Sequence, residues 1–403
     1  MLLVKKALSS ARDEAALRLR PPRALGALRP GPVVVSGLLQ DARGIGRAAR
    51  ASVAALRAGG FEVIEHDVAP HLRRGTPPPA PRVDGGVWLL HVNAPEMRRV
   101  MRLSPELLAA PMLRAGYWFW ELPAAPPDWL AAARHLHQVW TASRFTQKAF
   151  AAQRAAEVRV LLHPLMAIPA EADRARFALP ADAVIFLAMA DARSSFARKN
   201  PDGAIRAFRE AFTGDDPRVL LLVKARGAGE HADVLARLRE TAGGAANIRF
   251  LHEDMDDAGV AALMASADVV VSLHRAESLG LPVAEGMAQG LPVIATPWSG
   301  VEDFTDAESI MPVEFSLAPV RDAQGVYTEG AQSWAEPSIA SAAASMRALF
   351  ADAGLRAALG ARARAKVAAV LRPTWSEEAL GADFLRLARR RIPAGLEAAV
   401  ERS

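Results

Sequence analysis

Short apolar runs alternate with stretches of helical period along almost the whole chain. In the first half the runs predict strands over 33–36, 61–65, 87–91, 116–120, 138–141 and 158–162, with helices over 45–58, 128–136 and 145–155. The pattern then restarts. It predicts strands over 184–190, 219–224, 248–251, 269–273, 292–295 and 309–312, and helices over 201–212, 232–241, 258–265 and 282–289. Strand–helix alternation implies parallel sheets covered by helices on both faces, and two such series imply two doubly wound Rossmann-like α/β domains. The join falls near 164–180, which holds three prolines and no strand pattern. Residues 314–337 carry little pattern and read as a long loop, functional or mobile. Helices are expected over 339–350, 355–371 and 375–391. The expected division is a leader over 1–30, domains over 31–170 and 181–372, and a closing helical segment over 373–403 that packs back on the first domain. Ligands of open α/β sheets sit at the carboxyl ends of the strands. With two such domains facing each other, the cleft between them is the expected site.

Composition narrows the class. The 403 residues are 51% hydrophobic and 23% charged, which excludes a disordered chain. No cysteine is present, so disulfides, Cys-ligated zinc, iron–sulfur clusters and a Cys nucleophile are excluded. A reducing, cytoplasmic setting is the expectation. No apolar run reaches the ~18–20 residues of a membrane span. Lys5 and Lys6 follow a very short apolar stretch, the wrong order for a signal peptide, so the expected chain starts at residue 1 and stays in the cytoplasm. Net charge is +5, from 49 basic and 44 acidic side chains. Residues 1–30 hold seven basic and two acidic residues, so the leader carries the excess and the remainder is balanced. Two readings of this leader stand: a solvated, Arg-rich segment, or a weak peripheral contact with anionic lipid at the inner membrane face, at about 1 kcal/mol per basic residue. Nucleic acid is a poor partner, because no basic run is interleaved with aromatics.

The richest segment runs from Val269 to Thr296. A buried strand ends at Leu273, a loop follows, and a helix begins with Pro282 in its first turn, where a missing N–H costs nothing. Backbone amides near Ser278, Leu279 and Gly280, together with the helix dipole, would form an anion site suited to a diphosphate. Glu277 lies just before the helix and Glu285 about one turn into it, so both carboxylates can accept hydrogen bonds from one ligand's sugar hydroxyls. Acids that merely decorate a helix N-terminus are the plainer reading. The strand, the proline start, Gly280, the Gly290-Leu291-Pro292 turn and the next strand together favour a site.

This segment resembles the donor-binding signature of the retaining family-4 glycosyltransferases of the GT-B fold: Glu, seven residues, Glu, then Gly-x-Pro-Val. Glu277 and Glu285 have that spacing and Gly290-Leu291-Pro292-Val293 follows in place. The resemblance implies that Glu277 contacts the donor sugar and that Glu285 binds the nucleotide ribose. Ser278 departs from the family's usual Gly, which leaves open a different loop or a hydroxyl that meets the donor. Ser195-Phe-Ala-Arg198-Lys199-Asn200-Pro201 resembles the loop after the first strand of the donor domain in a bacterial subgroup, as do Ser272-Leu-His274-Arg275, Tyr327 and Trp334-Ala-Glu336-Pro337. It implies that Arg198 and Lys199, with Arg193 behind them, grip the donor diphosphate, whose charge grows in the transition state. Lys224, at the end of a strand, and His274 are further candidates for phosphate or sugar, against a role for His274 in shaping the loop only. Arg-Lys before a helix is also a common solvent-facing pattern.

In the first half, Gly37 to Gly46 resembles the family's glycine-rich loop, which approaches acceptor and donor phosphate; Gly44 and Gly46 are its candidates. Gly116-Tyr117-Trp118-Phe119-Trp120-Glu121-Leu122-Pro123 resembles the same subgroup. Glu121 is read as an acceptor-side residue directly after a strand, and the aromatics as sugar-stacking surfaces or as core. The likeness is closest over 184–345 and looser over 110–150. It implies transfer of a sugar from a nucleotide-diphosphate donor to a glycan, lipid-linked or protein acceptor, with no metal and no other cofactor, in glycan or polysaccharide biosynthesis. The alternatives are an NAD(P)-dependent oxidoreductase, a GT-B sugar-nucleotide epimerase, or a non-catalytic binding protein. The first rests on Gly44-Ile-Gly46-Arg-Ala-Ala49 with Glu65 beyond it, but Gly44 lies eight residues past Ser36, and a dinucleotide fingerprint needs its first Gly immediately after the strand. Asp254-Met255-Asp256 precedes a helix and reads as a cap rather than a metal motif.

Overall fold

The structure is a computed structural model and describes residues 12–41, 44–165, 168–192, 194–227, 232–327 and 332–391. The chain divides into two compact units, one drawn from 1–119, 125–164 and 373–403 and the other from 120–124 and 165–372.

Among the described residues, the first unit is built on β1 (Val33–Gly37), β2 (Val63–Asp67), β3 (Val87–His91), β4 (Leu113–Trp118), β5 (Gln138–Thr141) and β6 (Glu157–Val160). Their order is β2-β1-β3-β4-β5-β6 and every neighbouring pair is parallel. β1 and β3 are buried at every position, which is why they read as unbroken apolar runs. β2 and β6 close the sheet, and both are polar and partly exposed, as edge strands must be. Phe61, expected to open β2, instead forms an isolated bridge with Arg390. A helix over Ala94–Leu103, missed in the sequence pattern, buries Met97, Val100 and Met101 along one face.

One expectation for this unit changes and another gains detail. Residues 375–391 do not form one helix. The segment breaks at Gly381 into Glu377–Leu380 and Ala382–Leu387, then adds bridges from Ala388 to Gly31 and from Arg390 to Phe61. The described part of the leader keeps Arg12, Arg18, Arg20, Arg23 and Arg29 exposed, as expected of a solvated segment, but a few of its side chains are anchored. Leu17 is fully buried, Asp13 pairs with Arg102, and Glu14 faces His135 at 3.1 Å and Arg98 at 3.7 Å. The leader's two acids pair with Arg102 and Arg98 of the unit's body, and Leu17 on the same helical stretch adds apolar burial.

The second unit holds β7 (Val184–Asp191), β8 (Val219–Arg226), β9 (Ile248–Leu251), β10 (Val269–Ser272), β11 (Val293–Ala295) and β12 (Met311–Pro312). They pair in parallel in the order β12-β11-β10-β7-β8-β9. Phe186, Phe208, Leu221, Val271, Ile294 and Met346 meet in its core, each side chain contributing about 1.5–3 kcal/mol by burial. Asp268, the one charge in an otherwise apolar run, accepts hydrogen bonds from Arg174 Nη2 and from the Ile185 amide, both at 2.7 Å, and so ties the incoming chain to the start of β7. The chain enters at β7 and winds outward on both sides, so the strand order reverses between β7 and β10. That switch point is where an open α/β sheet leaves a crevice at its carboxyl edge. Residues 314–337 are not patternless: Phe315–Pro319 (β13) and Ser333–Pro337 (β14) form an antiparallel pair. Both are short and end in proline, and β13 exposes Leu317, which hides the alternation.

Candidate active site

Two loops leave the switch point of the second unit. After β7 the chain forms a one-turn helix, Phe196–Lys199, capped by Ser195 Oγ, which accepts the Arg198 amide. Asn200 ends that turn in the left-handed region at φ 51° and its Oδ1 caps the next helix, Pro201–Ala211, through the Gly203 amide. Its Nδ2 donates to Leu273 O at 2.9 Å. One Asn-Pro pair therefore stops one helix, starts another and fastens both to the end of β10. The basic pair is presented at the crevice as a consequence.

After β10 the chain runs through His274, Arg275 and Glu277 to the helix Leu281–Ala288. Gly280 takes φ 91° at its N-cap, where a Cβ would stand 2.5 Å from Val301 Cγ1, so only glycine fits. No side chain caps this helix. Ser299 holds Glu277 from behind: its Oγ accepts the Glu277 amide at 2.8 Å, and the Gly300 amide donates to Glu277 O at 2.8 Å. Ser299 does this at φ 71°, a conformation that costs a non-glycine residue of order 1–3 kcal/mol.

The centre of the site is a four-charge cluster. Glu277, only 6% exposed, accepts from Arg198 Nη1 at 2.9 Å and from Lys199 Nζ at 2.5 Å. Arg198 Nη1 also donates to Ala276 O at 2.9 Å, and Nη2 faces Glu121 Oε1 at 3.8 Å. Glu121 Oε2 accepts from Tyr327 Oη at 2.8 Å. Burial alone would raise the Glu277 pKa, but Arg198 and Lys199 outweigh it and pull it from 4.5 down to about 2. Burial likewise opposes the charge on Arg198, and Glu277 more than restores it. Tyr327 is pushed well above its ordinary value by burial and by the Glu121 carboxylate. The cluster thus sets two carboxylates, Glu277 and Glu121, against two basic side chains, Arg198 and Lys199.

An outer ring fixes this arrangement. Asp322 Oδ1 accepts from Ser195 Oγ at 3.1 Å, and its Oδ2 accepts the Val326 and Tyr327 amides at 2.8 and 3.1 Å. Gln324 accepts the Phe196 amide at 2.5 Å and donates to Ala192 O at 3.0 Å. Arg275 forms a two-pronged pair with Glu336, at 2.6 and 2.9 Å, and lies over the Trp334 ring. The three segments singled out in the sequence therefore interlock. Ser299, Asp322 and Gln324 were missed, because nothing local in their neighbourhoods marks a partner over a hundred residues away or a left-handed serine.

The remaining candidates fall as follows. His274 is fully buried and burial lowers its pKa to about 4. Its Nε2 faces Trp298 O at 3.4 Å and so carries the proton, which leaves Nδ1 to accept from Ser272 Oγ at 2.9 Å. Both nitrogens are occupied by the loop. Lys224 ends in a buried position with Nζ donating to Glu253 O at 3.4 Å, and burial lowers its pKa. Glu285 is half-buried on the helix Leu281–Ala288, and Ser278 and Leu279 are buried before it. Asp256 caps the helix Asp257–Ala265 through the Gly259 amide at 2.7 Å. Arg193 lies outside the described residues. Gly44 and Gly46 belong to the first unit, where Gly44 opens the helix Gly44–Ala58 and a Cβ on Gly46 would stand 2.1 Å from Asp41 O. β1 ends at Gly37, well before Gly44, which is the wrong geometry for a dinucleotide fingerprint. β4 ends at Trp118, so Glu121 does not follow the strand directly, and residues 120–124 cluster with the second unit. Tyr117, Trp118 and Trp140 are core residues with no exposure, not sugar platforms.

The family described as glycosyl transferases group 1 matches residues 170–309, the part of the second unit that contains Arg198, Lys199, Glu277 and Glu285. The chain carries a glycosyltransferase domain. No curated protein matches the sequence. Among solved structures, the chain is similar to a sucrose-phosphate synthase from Thermosynechococcus elongatus, at 16% identity and TM-score 0.59, over 92% of this chain and 99% of that one. It is similar to a glycosyltransferase from Rickettsia africae at 14% identity and TM-score 0.59, over 86% and 95%. It is also similar to Anabaena HepE, solved with UDP and glucose, at 14% identity and TM-score 0.58, over 85% and 96%. These likenesses show the fold: two Rossmann-like parallel-sheet domains, the GT-B architecture. The glycosyltransferase domain supplies the ionised cluster at the carboxyl edge of its sheet.

Proposed function

We propose that the chain transfers a sugar from a nucleotide-diphosphate donor to an acceptor hydroxyl, with retention at the anomeric carbon and without a metal. The observation that carries this is the Arg198–Lys199–Glu277 cluster at the switch point of a glycosyltransferase domain. In the proposed reaction the bond from the anomeric carbon to the leaving phosphate breaks. The bond to the acceptor oxygen forms, and the acceptor proton passes to the leaving phosphate. Positive charge at Arg198 and Lys199, with the backbone amides near Ser278, Leu279 and Gly280, faces the charge that grows on the diphosphate. Glu277 orients the donor sugar, Glu285 holds the ribose, and Glu121 serves the acceptor side. UDP is the first nucleotide to test, since HepE was solved with it.

The acceptor classes proposed are a glycan, a lipid-linked glycan or a protein, with polysaccharide biosynthesis at the cytoplasmic membrane face as the setting. No helix among the described residues is long and apolar enough to cross a membrane. Any lipid contact therefore falls to exposed leader residues such as Arg18, Leu19 and Arg20.

The test is a thermal-shift panel with UDP, GDP, ADP, TDP, NAD and NADP. A ligand at ~100 times its Kd adds about 2.7 kcal/mol of stability. A shift with one nucleoside diphosphate and none with NAD is expected. A shift with NAD or NADP alone would overturn the transferase reading. Transfer that EDTA abolishes and Mn²⁺ or Mg²⁺ restores would overturn the metal-free mechanism.

A further inference from the structure

Arg198 and Lys199 are neighbours in sequence and look interchangeable, but the structure gives them different surroundings. The Arg198 side chain is 7% exposed, while that of Lys199 is 17% exposed. Arg198 is committed on several sides: to Ala276 O, to Glu277 and towards Glu121, which Tyr327 holds in turn. Its own backbone carbonyl accepts the Arg275 amide at 2.8 Å, so the main chain beneath it is fixed too. Lys199 makes one ion pair, to Glu277 Oε1. A planar guanidinium locked between a carbonyl and two carboxylates can turn towards a new anion only by stranding both carboxylates in a buried place. An ammonium on a flexible stem with one partner can swing to a phosphate at the cost of that single contact. Glu277 keeps its charge if Lys199 leaves, because Arg198 stays.

We infer that the two cations divide the work: Lys199 alone is released to contact the donor diphosphate, and Arg198 is a positioning residue that acts through Glu277 and Glu121. This rests on the proposed nucleotide-sugar transfer. It makes the Lys199–Glu277 pair a stand-in contact that the incoming diphosphate displaces. The released Glu277 oxygen is then free to meet a sugar hydroxyl, which couples diphosphate binding to arming of the sugar-binding carboxylate.

The experiment measures the affinity of whichever nucleoside diphosphate shifts the full-length wild type, by calorimetry, and the pH profile of kcat/KM. Lys199→Gln should weaken that nucleoside diphosphate by about tenfold or more, the loss of one charge-assisted hydrogen bond, with Lys199→Arg recovering part of it. Arg198→Lys should keep nucleoside diphosphate affinity within about threefold, yet lower kcat and move the acid limb to higher pH, as Glu277 loses its fixed partner. Equal loss of affinity in Arg198→Lys and Lys199→Gln overturns the division. So does unchanged affinity in Lys199→Gln, which decides the matter alone if Arg198→Lys does not fold. Should no nucleoside diphosphate bind the wild type, the donor reading itself falls, a different result from either.

Discussion

Glu277→Gln tests the charge cluster directly. The substitution keeps the shape of the side chain and removes its charge, leaving Arg198 and Lys199 facing an amide. Two routes give the size of the effect. The pKa of Glu277 lies near 2 in the folded chain against an ordinary value of 4.5, which corresponds to about 3 kcal/mol at neutral pH. Removing one member of a buried pair generally costs about 3–5 kcal/mol, because the other is left uncompensated. Glu121 still faces Arg198 at 3.8 Å, which favours the lower figure. About 3 kcal/mol should lower the melting temperature of a unit of this size by roughly 6–12 °C. The pH dependence has a defined sign. The folded pKa is depressed, so the stabilisation is present above the unfolded value near 4.5 and is lost as pH falls towards 2. The assay is thermal unfolding of wild type and Glu277→Gln across that range. The gap between them should be full at pH 7 and close as the wild-type carboxylate protonates. A loss of less than about 2 °C at pH 7, or a gap independent of pH, would refute the buried, ionised cluster.

Four further outcomes are expected. Gly280→Ala places a Cβ 2.5 Å from Val301 Cγ1 at φ 91° and should cost about 1–3 kcal/mol and weaken nucleoside diphosphate binding; calorimetry on a variant with wild-type affinity would contradict it. Tyr327→Phe removes the hydrogen bond to Glu121 and should cost about 1–2 kcal/mol by denaturant titration, with kcat falling more than KM rises. Leu17→Ala should cost about 2–5 kcal/mol, since the residue is fully buried; no change in the denaturation midpoint would contradict its role as the leader's anchor. Burial holds His91 and His163 neutral, with pKa values down to about 3 and about 4, so the unfolded chain takes up their protons first. Stability should therefore fall as pH drops from about 6.5 towards 4, and replacing His163 with Gln should flatten that slope.

What the sequence reveals here is what is local. The central strands of the two parallel sheets are legible because a strand covered on both faces must be apolar throughout, while boundaries drift elsewhere, most at β4, expected over 116–120 and observed over Leu113–Trp118. The loop after β10 is legible for a similar reason: its glycine, its proline and the spacing of its acids all act within one turn. The contacts that give the site its charge state are not local. Glu277 meets Lys199 across 78 positions, Glu121 meets Tyr327 across 206, and Ser195 meets Asp322 across 127. Each of these residues, taken alone, is an ordinary polar side chain in a polar loop. The leader shows the same thing from the other side. Its charge count suggested a solvated, Arg-rich segment, and its arginines are exposed, but Asp13 and Glu14 are engaged by Arg102, Arg98 and His135 of the body. Net charge over a window says nothing about which charges are already paired. Arg198 and Lys199 sharpen the point, since adjacent cations that any window counts as equals differ in burial and in number of partners. Where two like residues adjoin at a site, the one with more fixed partners should be assigned to the architecture and the one with fewer to the ligand, because the free energy of rearrangement, not the charge, decides which can move.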